Sequence, residues 1–479
     1  MTARRIDPRT VGRVLGPLAF ALTALTAPPA NMAPAAWLVA GLTLWMAAWW
    51  MTEAVPLAVT AMLPFVILPL AGVSDAEKTA STYYSPILFL LLGGAFIALA
   101  IERTGLHRRL ALAILRAVGA DGGPVRLLVA FMLSTALLSM FISNTSTALI
   151  MMPMALAVLE GGSSGHDEGA TPLQTGIHGA LPMGIAFAAS IGGLGTIVGS
   201  PTNAIAVGLL DKLAGVRITF AEWSLYGIPL VLLSVPLAAF IVARVQRVAE
   251  HPFDVAAARA AIASHAAWTE PEKRLVPIAF VTFIAWVTQP LVAAALPPGS
   301  WTDGTIAVIA ALALFLLPDG TGRPLLVWHE AERAPWSVIF MFGGGLALAA
   351  GMSASGLAKW IGTALLPLEA WPLLLVALAV TVLVIVITEF ASNVATATGI
   401  VPVVASLVVA LGVDPILLAL PAALAASWGF MLPAGTGPNA IAWATGRIRI
   451  GAMVTAGALL DVAGAVLIVA VVWTIAALT

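Results

Sequence analysis

The chain has 479 residues, 61% of them hydrophobic and 9% charged, with a formal net charge of −1, no cysteine and a mean hydropathy of +1.03. Ordinary soluble domains carry about 25% charged residues, and surface area grows too fast with size for this composition to hide in a water-soluble core. Soluble enzymes, nucleic-acid binders, disulfide scaffolds and thiolate metal centres are excluded, and apolar runs of about 20 residues favour membrane helices over a β-barrel.

In chain order, Arg4, Arg5, Arg9 and Arg13 precede an apolar stretch reaching Pro28. A signal peptide also begins with a basic region, but no clear small-residue cleavage site precedes a soluble domain, so an uncleaved first transmembrane helix is expected within residues 1–34. Further spans are predicted at 35–51, 56–73, 84–102, 180–210, 225–244, 275–295, 304–318, 335–354, 415–445 and 452–477. Residues 124–160 and 370–411 are too long for one helix and too short for two full ones with a loop. Each is interrupted by a polar triplet, Ser143-Asn144-Thr145 and Ser392-Asn393-Val394. Half-length apolar arms around a polar break predict re-entrant hairpins. The polar stretch 245–274, with His251, Asp254, Glu270, Glu272, Lys273 and Arg274, separates a first repeat (35–244) from a second (275–479) as a cytoplasmic linker.

With a cytoplasmic N-terminus, eleven crossings and hairpins that return to their own side, 18 of the 22 basic residues fall in the cytoplasm. Only Lys78, Lys212, Arg217 and Lys359 lie outside, as the positive-inside rule requires. The halves are related in sequence. Phe89–Gly94 ahead of Gly105-Leu106 matches Phe340–Gly345 ahead of Gly356-Leu357 at an offset of 251 residues. Phe141-x-Ser143-Asn144 with Thr147 and Pro153 matches Phe390-x-Ser392-Asn393 with Thr396 and Pro402 at an offset of 249. Asn203-Ala204-Ile205-Ala206 matches Asn439-Ala440-Ile441-Ala442 at 236, the first half carrying an extra loop over 161–169. Each half has five crossings, an odd number, so the second copy is inverted. An inverted repeat with helices interrupted at corresponding positions points to a secondary transporter.

The chemistry-bearing residues recur in both copies. Ser139, Ser143, Asn144 and Thr145 mark the first hairpin; Thr388, Ala391, Ser392, Asn393 and Val394 mark the second. Two Gly/Pro-rich breaks follow, Gly192–Asn203 and Leu432–Asn439. Breaks free carbonyls at membrane depth, which with Ser, Thr and Asn oxygens make hard neutral ligands for an alkali cation. Helices starting after each break aim their N-terminal N–H groups into the same space, where an anion is held. Taken alone, one Ser-Asn-Thr triplet is usually interhelical glue; recurrence in register favours a binding site. No Arg or Lys lies in any break, so a dianion meets only neutral donors, and bound Na⁺ supplies the missing positive field.

The six histidines fall in loops or near membrane edges, arguing against a metal centre or an intramembrane enzyme. Asp461, inside the last span, is a functional candidate or a hydrogen-bonded structural acid. Glu53 is expected to cap or scaffold, and Glu389, next to Thr388, to tune a cation site. Trp45, Trp49, Trp50, Trp336 and Trp473 sit near span ends, as an interfacial belt does.

Trp49-Trp50-Met51-Thr52-Glu53-Ala54-Val55-Pro56, the paired Ser-Asn motifs and the two Pro-x-Asn-Ala-Ile-Ala or Gly-Pro-Asn-Ala-Ile-Ala segments resemble the divalent anion/sodium symporter family, particularly bacterial INDY-type dicarboxylate transporters. The similarity covers essentially the whole chain after the first helix. It implies an all-α polytopic protein of the bacterial inner membrane, homodimeric, with scaffold and transport domains and elevator-type alternating access. It assigns a first sodium site to Ser139, Ser143, Asn144 and Gly199 and a second to Thr388, Ala391, Asn393 and Gly435. Substrate carboxylates would meet Asn144, Thr145, Ser200 and Pro201 on one side, and Ser392, Asn393, Val394, Thr436 and Gly437 on the other. Val394 replaces a family Thr and removes one hydroxyl; Gly437 stands where Pro is common. The expected activity is Na⁺-coupled symport of C4 dicarboxylates such as succinate, fumarate and malate, with no cofactor beyond Na⁺. A sodium-independent exchanger and a sulfate symporter are the alternatives within the family, an ion channel outside it.

Overall fold

The computed structural model describes residues 7–118, 123–162, 174–251, 253–256 and 267–479. Apart from one isolated bridge between Pro318 and Pro324, the described residues form helices and connections without a strand. Helices α1 (Pro8–Leu25) and α2 (Pro34–Thr52) pack on each other, and α2 ends on Glu53 in the left-handed conformation. The expected cap at Glu53 is therefore a backbone one; its side chain is exposed, 3.8 Å from Arg9. The span predicted at 56–73 is interrupted, as α3 (Leu57–Thr60) and α4 (Leu63–Leu70), followed by the short α5 (Ala76–Ser81). Helix α6 (Ile87–Thr104) ends at Gly105, whose φ of 82° suits a residue without Cβ. An amphipathic helix α7 (Leu106–Val118) follows.

The first hairpin is α8 (Pro124–Ser139) and α9 (Asn144–Gly161). Next come α10 (Ile177–Gly193), a 3₁₀ turn at Ile197–Gly199, α11 (Pro201–Ala214) and α12 (Phe220–Val245). The second half opens with α13 (Glu270–Val287), α14 (Gln289–Ala293), α15 (Asp303–Leu316) and α16 (Trp328–Ala331). Helix α17 (Trp336–Ser355) ends at Gly356, φ 84°, and a second amphipathic helix, α18 (Leu357–Leu365), follows it. The chain closes with the hairpin α19 (Leu373–Phe390) and α20 (Asn393–Leu411), then α21 (Pro415–Ala425), α22 (Gly437–Ala444) and α23 (Ile450–Ala476).

Seven of these helices are long and apolar enough to cross a membrane (α2, α6, α12, α17, α19, α20 and α23), and five shorter apolar segments accompany them. Two expectations need correction. The hairpin arms are not half-length: they run 16, 18, 18 and 19 residues, because the interruptions occupy only 140–143 and 391–392. At 1.5 Å per residue an 18-residue arm is about 27 Å long, close to the apolar thickness of a bilayer. Trp50 is not interfacial but 2% exposed, its indole donating to the Leu57 carbonyl at 3.2 Å. The loop expected at 161–169 lies mostly outside the described residues, as do positions 252 and 257–266 of the linker.

The repeat governs packing. In each half the first hairpin arm packs on the interrupted helix and on the final long helix, α8 on α10 and α12, and α19 on α21 and α23; α12 and α23 join the halves. A separate layer is built from α6 with α13 and α15, and from α17 with α2, α3 and α4. Close approach there demands glycine: a Cβ on Gly93 would stand 2.5 Å from the Ala307 carbonyl oxygen. Arg103, Arg323 and Arg333, placed on one side by the charge count, share ion pairs with Glu102, Asp319 and Glu330. Arg109 pairs with Glu272 at 2.9 Å. Burial alone would raise the Asp319 carboxyl, but hydrogen bonds from Arg103 and Thr321 outweigh it and hold it well below the usual carboxylate range.

Candidate substrate and cation site

Each hairpin tip is fixed by one hydroxyl-to-amide pair. The Ser139 hydroxyl shares its one proton between the Ala189 carbonyl at 2.6 Å and Asn144 Oδ1 at 2.9 Å. The Thr388 hydroxyl does the same between the Ala426 carbonyl at 2.7 Å and Asn393 Oδ1 at 3.1 Å. The bond thus ties the tip of each hairpin to the interrupted helix of its own half. Ser143 and Ser392 cap the outgoing arms, accepting from the backbone N–H groups of Ser146 and Ala395, each at 3.3 Å.

The breaks are built in parallel. Ser200 caps α11 and Thr436 caps α22 through side-chain oxygens that accept backbone N–H groups, so four helices begin at the two tips and two breaks. Gly199 lies against the Ser139 and Gly193 carbonyls: a Cβ there would meet them at 2.9 and 2.7 Å. Gly435 lies near the carbonyls of Glu389 and Thr388, at 3.4 and 3.8 Å from an added Cβ. The sequence-predicted sets Ser139, Asn144, Gly199 and Thr388, Asn393, Gly435 are each brought together. Ala391 is buried at the foot of the second tip, whereas Ser143 is exposed on the turn of the first.

The halves then interlock. Helix α9 packs on α22, and α20 packs on α11, so each hairpin tip meets the break of the opposite half. The approach is tight at Gly437, where a Cβ would stand 2.4 Å from Thr145 Oγ1. Any side chain in this place would make the exposed Thr145 hydroxyl turn aside. Val394 packs partly buried among apolar side chains. A cavity of about 160 Å³ opens beside the first tip, with Phe141, Ser143, Ser146 and Pro201 on one wall and Glu102 and Arg333 on the other. That guanidinium and carboxylate lie 3.6 Å apart and largely neutralise each other.

The sequence reading placed Asn203 and Asn439 in the breaks and in the repeat but gave neither a role in the site. Both are fully buried. Asn203 Nδ2 donates to the Gly193 and Thr196 carbonyls at 2.7 and 2.8 Å, stapling the first break, and Asn439 Nδ2 donates to the Leu432 carbonyl at 3.1 Å. Their recurrence in the Asn-Ala-Ile-Ala repeat was the available signal. Glu389 does not face the substrate region as a free acid; its carboxylate accepts the backbone N–H groups of Phe430, Met431 at 2.9 Å and Leu432 at 3.1 Å. Asp461 lies against it. His107 is buried on the Ile101 carbonyl and His329 faces Glu332, while His166 and His265 lie outside the described residues. No group of three or more His, Cys, Asp and Glu able to hold a metal occurs among the described residues.

Comparison with known proteins places this architecture. The sodium:sulfate symporter transmembrane region matches residues 9–478. The sodium-dependent dicarboxylate transporter SdcS of Staphylococcus saprophyticus is 38% identical over 476 residues, covering 97% of this chain and 90% of the relative. SdcS of Staphylococcus aureus strain USA300 is 39% identical over 474 residues, with coverage of 97% and 90%. Among solved structures, the Alcanivorax borkumensis YdaH transporter superposes with a TM-score of 0.57 at 14% identity, covering 98% of each chain. Neisseria gonorrhoeae MtrF does so with 0.57 at 13%, covering 97% and 95%. At such identities these two speak for the fold alone. The relatives are transporters and not enzymes, and this chain belongs with them to the sodium:sulfate symporter transmembrane family, the divalent anion/sodium symporters.

Proposed function

We propose that the chain is a secondary transporter of the bacterial inner membrane that couples Na⁺ to uptake of a C4 dicarboxylate. The carrying observation is the interlock: two neutral tips, each with a hydroxyl–asparagine pair, meet the opposite breaks where helices begin. A dianion between them is offered N–H groups, hydroxyls and amides, but no uncompensated cation. Sodium at Ser139, Ser143, Asn144 and Gly199, and at Thr388, Ala391, Asn393 and Gly435, supplies that charge, so substrate affinity rises with Na⁺ and sodium affinity with substrate. The carboxylates are received by Asn144, Thr145, Ser200 and Pro201, and by Ser392, Asn393, Val394, Thr436 and Gly437. The naming of the SdcS relatives as sodium-dependent dicarboxylate transporters supports this over sulfate.

In this scheme α8–α12 and α19–α23 form the moving part, and α2–α6 with α13–α17 the scaffold of a homodimer, with the N-terminus cytoplasmic. Labelled succinate uptake into proteoliposomes is the test. Uptake driven by external Na⁺ and lost in choline is expected; equal uptake in both overturns the coupling, and stronger competition by sulfate than by fumarate overturns the substrate.

A further inference from the structure

In the proposed scheme α12 belongs to the moving part, and α13 and α15 to the scaffold. Helix α12 packs along α8, α10 and α23 and more lightly on α13. It follows Arg217, outside in the charge count, and ends beside Arg244, inside. Its outer end is completed by the scaffold. Thr219 and Glu222 cap each other: Thr219 Oγ1 accepts the Glu222 N–H at 3.2 Å, and the Glu222 carboxylate accepts the Thr219 N–H at 2.7 Å. The Phe220 N–H is left over, one of the donors that a helix start cannot satisfy internally. Asp303, the first residue of α15, accepts it at 2.8 Å through Oδ2. No other hydrogen bond among the described residues reaches this carboxylate, and its Oδ1 is buried without a partner. The surrounding seat is aromatic. The Phe220 ring, 0% exposed, stacks on Trp286 at 4.8 Å and 21° and meets Phe283 edge-on at 6.2 Å. Trp286 is held in turn by the Asp303 carbonyl, to which its indole donates at 3.1 Å. Phe283 also meets Phe141 of the first tip at 6.0 Å, so the tip and the outer end of α12 lean on one scaffold side chain.

We propose that Asp303, with Trp286 and Phe283, is an outer catch of the transport cycle: a scaffold carboxylate that caps the moving helix α12 and holds the transport part in its cytoplasm-facing position. The cavity beside the first tip, with Glu102 and Arg333 on its wall, lies on the side that the charge count makes cytoplasmic. A carboxylate facing the first turn of a helix meets both an unpaired N–H group and the positive end of the dipole. Sliding α12 outward takes the Phe220 N–H from Asp303 and the Phe220 ring from its seat together, so each departure carries a fixed cost. Asp303 acts on substrate only through α12 and is a positioning residue. The inference rests on the moving and fixed parts of the proposed function, and adds what sets the balance between their two positions.

The chain has no cysteine, so a single introduced thiol reports its own position. Ser146 lines the cavity beside the first tip. Its counterpart at the repeat offset of 249 is Ala395, 5% exposed and buried in the cluster that holds Ala61 and Met341. Outward movement covers the first and uncovers the second. The experiment measures maleimide labelling rates of Ser146→Cys and Ala395→Cys in the purified full chain, with and without Asp303→Ala. Asp303→Ala is expected to slow the first and speed the second, moving their ratio about tenfold. Asp303→Asn, whose amide oxygen still accepts an N–H, should move it less. An unchanged ratio with Asp303→Ala overturns the proposal, and so does faster labelling at both positions, the mark of a loosened fold. If Asp303→Ala does not fold, Thr219→Cys with Thr302→Cys decides in a chain that keeps Asp303. Joining them with a short bifunctional thiosulfonate should stop succinate uptake until the link is reduced, and undiminished uptake after complete cross-linking overturns the catch. Absence of Na⁺-driven succinate uptake by wild type would defeat the functional proposal instead, and the labelling ratio would still test the catch.

Discussion

The first break is closed on itself and the second is held by a carboxylate. Trp223, Asn203 and Thr196 spend side-chain hydrogen bonds on the first, Thr196 donating to the Met140 carbonyl at 2.5 Å. Glu389 alone takes three N–H groups of the second. Neutral side-chain donors satisfy carbonyls without adding charge, whereas a carboxylate satisfies N–H groups and leaves carbonyls free. One inverted repeat thereby yields two sites of unequal electrostatics, a rigid neutral half and a half whose order depends on a charged group. A symmetric pair of hairpins need not bind its ions with equal affinity.

Removing the element the halves share has the largest expected effect. Asn144→Ala and Asn393→Ala each eliminate the oxygen that anchors a tip, and Na⁺-dependent succinate uptake should fall to background in both. Wild-type uptake by either would remove that tip from the site. Glu389→Gln should expose the difference between the halves. Replacing a carboxylate that accepts three N–H groups costs about 3 kcal/mol, so the detergent-solubilised melting temperature should drop sharply, while Met140→Leu, the equivalent change in the first half, should barely move it. Equal shifts would erase the proposed inequality. Trp223→Phe leaves the buried Leu194 carbonyl unpaired and should cost roughly 1–2 kcal/mol, with little change at Met453→Leu, the corresponding position on α23. Smallest is Val394→Thr: one restored neutral hydroxyl is worth about 0.5–1.5 kcal/mol. Substrate competition should then shift tenfold or less, and a loss of transport would show that Val394 is needed for packing rather than tolerated.

Much of this was legible in the sequence. Helix positions followed from apolar run lengths, and the hairpin limits 124–160 and 370–411 lie close to the observed 124–161 and 373–411. Recurrence in register brought out Ser139, Asn144, Thr388 and Asn393 because short polar clusters stand out at matching places in two apolar stretches. Short interruptions were harder to size: a two-residue turn at 391–392 is enough to reverse the chain when Ser392 caps the next helix. Amphipathic α7 and α18 were passed over, α7 because its His107, Arg108, Arg109 and Arg116 read as a loop and α18 because nine residues are too short for a span. The pairing of Glu389 with Asp461 was beyond reach, because 71 residues separate them and only the packing of α19 on α23 unites them.

The interlock also has a consequence for biogenesis. Helix α9 ends at Gly161, and the helix it packs against begins at Gly437, 276 residues later. At roughly 5–20 residues per second of synthesis, the first hairpin waits about 15–55 s in the membrane before its partner exists. During that wait its polar tip has only its own half, where Ser139 already reaches Asn144 and the Ala189 carbonyl. Those two bonds are therefore placed where an early-made hairpin needs them, and a chain severed in the linker should regain transport only when both halves are made together.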